Sequence, residues 1–166
     1  MKRVLIAAAA LLAFVSPAWA LTQDEAQQRV NSVGCTATVV TVESTGFNAY
    51  YNQYNHEVIL VGFDTLPETW QKLILWHEIG HCLQSQAGEF GSLRAKGPYE
   101  LEWDADRFAI RQLAEEGIDG ADLNATIWAT IYQQYGHKGD EYDSHGTTVD
   151  RITRGNLNRV LTRIES

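Results

Sequence analysis

His77, Glu78 and His81 lie within five residues of one another in the apolar segment Leu73-Ile74-Leu75-Trp76-His77-Glu78-Ile79-Gly80-His81. On an α-helix, positions i and i+4 sit one turn apart on the same face. Two imidazoles at that spacing can reach adjacent corners of one tetrahedral zinc ion. Glu78 follows the first of them and falls beside the metal rather than on it, where a carboxylate can act as base toward a metal-activated water.

A zinc ion that keeps one position for water takes three protein ligands, so His77 and His81 need a third. The acidic stretch Tyr99-Glu100-Leu101-Glu102-Trp103-Asp104-Ala105-Asp106 supplies candidates. Glu102 is the best of them, with Asp106 at i+4 on the same helical face, placed to orient an imidazole without touching the metal. Glu100 with Asp104 repeats that spacing, so the residues alone leave the register open by two positions.

The elements that must hold these groups are legible in outline. Leu21 to Ser32 reads as a helix with Thr22 or Asp24 as its cap. Thr36 to Glu43, a stretch near Tyr50 to Gln53, and Glu57 to Phe63 read as strands of a small antiparallel sheet joined by short turns. Asp64 or Thr65 is placed to cap a helix from Pro67 to Gln84 that carries the histidines. Gly88 to Pro98 is a glycine-rich loop, and the acidic stretch opens a helix ending near Gly117. A further helix spans Ala121 to Tyr135, with Leu123, Ile127, Trp128, Ile131 and Tyr132 as a core stripe. Tyr135 to Thr148 is a polar loop holding His137, Asp140, Asp143 and His145, and Thr148 to Ile164 a final helix. His56 stands outside any motif and is expected to be structural.

Met1 to Ala20 reads as a secretory signal peptide. Lys2 and Arg3 precede the apolar run Val4 to Val15, and Ala18-Trp19-Ala20 is a small-x-small cleavage site. That run is short for a membrane span. Residues 21–166 then form one domain with length enough for a core, and no later stretch has spanning length. The expected location is the periplasm or the exterior. The formal net charge is −8 and becomes more negative once Lys2 and Arg3 leave, which disfavours nucleic acid and anionic membrane surfaces as partners. The two cysteines, Cys35 and Cys82, suit a disulfide in an oxidising compartment. Cys82 as a metal ligand is disfavoured, because it projects about 100° away from its neighbour His81 around the helix.

Taken together, Trp70 to His81 and Glu102-Trp103-Asp104-Ala105-Asp106-Arg107-Phe108-Ala109 resemble the HtpX and CAAX-prenyl-protease family of gluzincin zinc metalloproteases. That family carries HExxH followed by E-x-x-A-D-x-x-A on the next core helix. The resemblance implies Glu102 as the third ligand, Asp106 as its supporting carboxylate, and a zincin-like α+β fold with one Zn²⁺ per chain. It extends to His145-Gly146-Thr147-Thr148-Val149-Asp150-Arg151-Ile152, which is similar to the family's His-Pro-x-x-x-x-Arg-Ile with glycine replacing proline. Catalytic roles for His145 and Arg151 are implied on that basis. The family also implies that the strand before the zinc helix, here Glu57 to Phe63, lines the cleft and pairs with extended substrate.

The expected activity is zinc-dependent hydrolysis of peptide or protein substrates, with Glu78 as general base. Three other classes use parts of the same pattern. They are a zinc-bound periplasmic binding or assembly factor without turnover, a zinc amidohydrolase acting on cell-wall material, and a metal-free exported domain.

Overall fold

The computed structural model describes residues 21–90 and 98–135. The expected leader, residues 91–97, the polar loop with His145, and the final helix with Arg151 lie outside the described residues. The side chains of Trp128, Ile131 and Tyr132 do as well. The chain runs α1 (Gln23–Ser32), β1 (Thr38–Val42), β2 (Asn48–Asn52), β3 (Glu57–Val61), a 3-10 turn (Phe63–Thr65), α2 (Glu68–Gln86), α3 (Pro98–Glu115) and α4 (Gly120–Tyr135). The class is α+β, as the sequence predicts. No helix among the described residues is long and apolar enough to cross a membrane.

A reciprocal cap starts α1. The Glu25 backbone N–H donates to Thr22 Oγ1 at 3.2 Å, and the Thr22 N–H donates to Glu25 Oε2 at 2.9 Å. The helix turns Gln23, Ala26, Gln27 and Val30 toward the sheet at helical spacing. Ala26 and Val30 enter the core. The two glutamines close the outer edge of β1: Gln27 accepts from Val39 N at 2.8 Å and donates to Ala37 O at 3.0 Å, and Gln23 donates to Val39 O at 3.0 Å. Edge groups that would otherwise invite another strand are thereby satisfied.

The sheet is mixed, which corrects the antiparallel expectation. Strand order is β1-β3-β2, with β1 parallel to β3 and β2 antiparallel to it. The reason is hydrophobic burial. β3 is Glu-Val-Ile-Leu-Val and buries Val58 and Leu60 completely, whereas β2 is Asn-Ala-Tyr-Tyr-Asn. A simple meander would have placed the polar β2 in the centre, so the apolar strand takes the position paired on both edges. Residues 43–47 must then cross the end of β3. Gly62 permits it, with φ at +56° and its N–H donating to Val42 O at 2.8 Å. A Cβ there would lie 2.8 Å from Ser44 O and nearer still to Gly46 O.

Leu66 is extended, as a residue before proline prefers, and Pro67 is the N-cap of α2. Asp64 and Thr65 belong to the 3-10 turn instead of capping α2, and Thr65 Oγ1 donates to Gly62 O at 2.6 Å. From there α2 runs through the interior, burying Leu73, Leu75, Trp76, Ile79 and Cys82, so it lacks the polar face of a surface helix. Two devices hold its far end. The Cys35–Cys82 disulfide ties it to the α1–β1 connection across 47 residues, and the Gln86 side chain accepts from Thr36 N and donates to Gly34 O. Constraining a loop of that length typically stabilises by about 2–4 kcal/mol. At the near end, Glu116 accepts from Trp76 Nε1 at 3.0 Å and pairs with Arg29 and Lys72, joining α1, α2 and the end of α3. Burial acts to raise the Glu116 pKa, but these three donors together draw it below the usual carboxylate value.

Gly62→Ala is expected to lower the unfolding free energy by about 2–3 kcal/mol, from a left-handed backbone cost of about 1–2 kcal/mol plus displacement of the crossing loop. Urea denaturation with the disulfide intact measures this. An unchanged midpoint would mean that residues 43–47 do not press on Gly62.

Candidate metal centre

The site forms where α2 and α3 approach most closely. Gly80 faces Ala105, and a Cβ on Gly80 would lie 3.0 Å from Ala105 Cα. These small residues sit between the functional ones in sequence: His77 and His81 flank Gly80, and Glu102 and Asp106 flank Ala105. Close backbone contact therefore brings the i,i+4 pair of one helix against the i,i+4 pair of the other.

His77 Nε2 lies 3.2 Å from Glu102 Oε2, His81 Nε2 lies 3.2 Å from Glu102 Oε1, and the two Nε2 atoms are 3.1 Å apart. Ligands bound to zinc tetrahedrally at about 2.0–2.1 Å would be separated by about 3.3 Å. The three donors thus have the spacing of a coordination face. The His77, His81 and Glu102 group could hold a metal ion.

The outer nitrogens fix the tautomers. His77 Nδ1 lies 2.9 Å from Asp106 Oδ1, and His81 Nδ1 lies 2.8 Å from Gln84 Oε1. Gln84 Nε2 donates to Leu101 O at 2.7 Å, which leaves the amide oxygen facing His81. Both partners of the Nδ1 atoms accept, so both Nδ1 atoms carry the hydrogen. Both Nε2 lone pairs then face the Glu102 carboxylate and each other, and only a cation or a proton relieves their repulsion.

Without a metal the proton fills that role. Burial acts to lower the His77 pKa, but hydrogen bonds and charge from Asp106 and Glu102 outweigh it and raise the pKa well above the usual imidazole value. Burial acts in the opposite sense on Glu102, whose carboxyl is nevertheless held far below the usual range by His77 and His81.

His77, His81 and Glu102 converge, and Glu102 and Asp106 are buried while Glu100 is exposed. Asp106 supports the His77 imidazole, the role its spacing allows. Glu78 is buried and lines a cavity of about 520 Å³ with His81, Glu102, Phe90, Tyr50 and Tyr54. Cys82 is in the disulfide and is not a ligand. His56 takes φ +54° in the β2–β3 turn, and its Nδ1 lies 3.1 Å from Tyr51 Oη. His145 and Arg151 lie outside the described residues.

The cleft strand is a correction. β3 has β1 on one edge and β2 on the other, so it has no edge for a substrate. β2 has β3 on one side and, among the described residues, no strand on the other, and its Tyr50, Tyr51 and Asn52 line the cavity. Sequence reasoning missed this because short turns suggest strands paired in chain order, although the apolar composition of β3 beside the polar β2 marks it as the central strand. It also missed Gln84, although its i+3 spacing from His81 marks it as a neighbour on the helix surface.

Comparison with protein-family models, curated proteins and solved structures finds no match for this chain.

Because Asp106 and Glu102 raise the His77 pKa well above the usual imidazole value, binding a divalent ion near neutral pH is expected to displace a proton from His77. Apparent affinity should weaken about tenfold for each pH unit below the His77 pKa. Calorimetric titration in buffers of different ionisation enthalpy reads the proton count. A slope of zero would mean that the metal does not displace this proton.

Proposed function

We propose that this chain is a zinc-dependent metallopeptidase of zincin-like fold, acting on extended peptide segments. One observation carries the reading: two imidazole lone pairs and a carboxylate meet at 3.1–3.2 Å with both tautomers fixed inward. An N₂O donor set of this kind suits zinc and leaves a fourth position for water or substrate. The similarity of the two helical motifs to HtpX and CAAX-prenyl-protease-like gluzincins agrees with it.

Bound zinc supplies Lewis acidity toward a carbonyl and makes water a nucleophile near neutral pH. His77, His81 and Glu102 would hold it, and Asp106 and Gln84 keep the imidazoles aimed. Glu78, on the same cavity wall, accepts the proton of the attacking water and delivers it to the departing amine. A peptide adding to the outer edge of β2 would place its backbone along the cavity, with main-chain hydrogen bonds giving affinity that tolerates varied sequences. The Cys35–Cys82 disulfide and the leader-like start fit action in the periplasm or outside the cell.

Metal analysis by mass spectrometry is the first test. One zinc per chain is expected in the native protein and in Glu100→Ala, and none in Glu102→Ala. Glu78→Gln should keep the zinc and lose peptide hydrolysis by about 10²–10⁴-fold. A native protein that takes up no zinc after supplementation would overturn the proposal, as would normal turnover in Glu78→Gln.

A further inference from the structure

His77 and His81 are supported unequally. His77 leans on the Asp106 carboxylate from the facing helix α3. His81 leans on an amide from its own helix, three residues on. That amide is buried, and neither end is free to turn. Leu101 O can only accept, so it takes the Gln84 NH₂ at 2.7 Å and leaves Oε1 for His81 Nδ1 at 2.8 Å.

We propose that Gln84 is a positioning residue for the metal centre, locking the His81 tautomer and coupling that imidazole to the turn of α3 that carries Glu102. This rests on the metal site proposed above. Leu101 immediately precedes Glu102, so one side chain connects the second histidine to the backbone of the third ligand. Movement of α3 relative to α2 would be felt at His81 through two hydrogen bonds in series.

The choice of an amide also has an electrostatic reason. Two neutral imidazoles with the Glu78, Glu102 and Asp106 carboxylates sum to three negative charges, already one more than a divalent cation balances. A carboxylate at position 84 would add a fourth in a buried place, where it is costly. It would also set a carboxylate oxygen against Leu101 O, two acceptors with no hydrogen between them. A glutamine meets both demands.

Gln86, two residues along the same helix, offers a control. Its amide makes a similar two-ended bridge, to Thr36 N and Gly34 O, beside the disulfide and away from the histidines. Zinc affinity is measured by competition with a chromophoric chelator on the full mature chain with its disulfide intact. Cobalt(II) substitution then reports ligand geometry through its visible bands. Gln84→Leu is expected to weaken zinc binding about 10–100-fold, the usual cost of losing a group that orients a ligand, and to shift the cobalt bands. Gln86→Leu should leave both unchanged even where it lowers the unfolding midpoint. Gln84→Glu retains the acceptor for His81 but sets a carboxylate against Leu101 O, so it should bind zinc more tightly than Gln84→Leu and more weakly than the native chain, while still shifting the cobalt bands because the imidazole then faces an anion.

Native affinity and native cobalt bands in Gln84→Leu would overturn the inference. If Gln84→Leu fails to fold, Gln84→Glu decides it, and unchanged bands there overturn it. A native chain that binds neither zinc nor cobalt would instead remove the metal site on which it rests.

Discussion

Three electron-pair donors meet in the interior of this protein at 3.1–3.2 Å, and a positive charge must lie among them. Repulsion among two nitrogen lone pairs and a carboxylate is intolerable at that distance in a low-dielectric setting. A proton on His77 meets the demand in the metal-free chain, and a divalent ion would meet it better. The arrangement persists because the surrounding structure leaves the side chains nowhere else to go. Asp106 and Gln84 hold the outer nitrogens, and Gly80 against Ala105 sets the separation of the two helices.

That contact in turn relies on a scaffold built by polar and covalent ties as much as by apolar packing. Glu116 gathers Trp76, Arg29 and Lys72 at one end of α2. The disulfide and Gln86 fasten the other. Between them α2 is enclosed by the sheet, α3 and α4, so its rotation about its own axis is fixed. The two histidines can then face only one way. A surface helix with the same sequence spacing would carry no such guarantee.

The sheet contributes through the difference between its edges. Gln23 and Gln27 of α1 cover the outer edge of β1, while the outer edge of β2 lies along the cavity beside Glu78, His81 and Glu102. The position of the apolar β3 produces this. Its burial forces it to the centre, pushes the tyrosine- and asparagine-rich β2 to the rim, and requires the crossing loop that Gly62 accommodates. A folding demand in one strand therefore decides which strand borders the reactive groups.

The sequence alone determined what depends on spacing within one element. A helical period puts His77 and His81 on one face with Glu78 between them, and puts Glu102 with Asp106 on another. Alternating and apolar runs marked the strands, and a cysteine pair with an apolar leader pointed to a disulfide. The helical period alone did not choose Glu102 over Glu100, since both pairs share it; the resemblance of the two motifs implied Glu102, and the face of α3 that meets α2 buries Glu102 while Glu100 is exposed. The tertiary structure likewise placed β3 between β1 and β2 and gave His81 its glutamine. Periodicity fixes where side chains point around one element's own axis. How elements turn toward one another is decided by burial and close contact between residues far apart in the chain, such as Gly80 with Ala105 and Gly62 with Ser44.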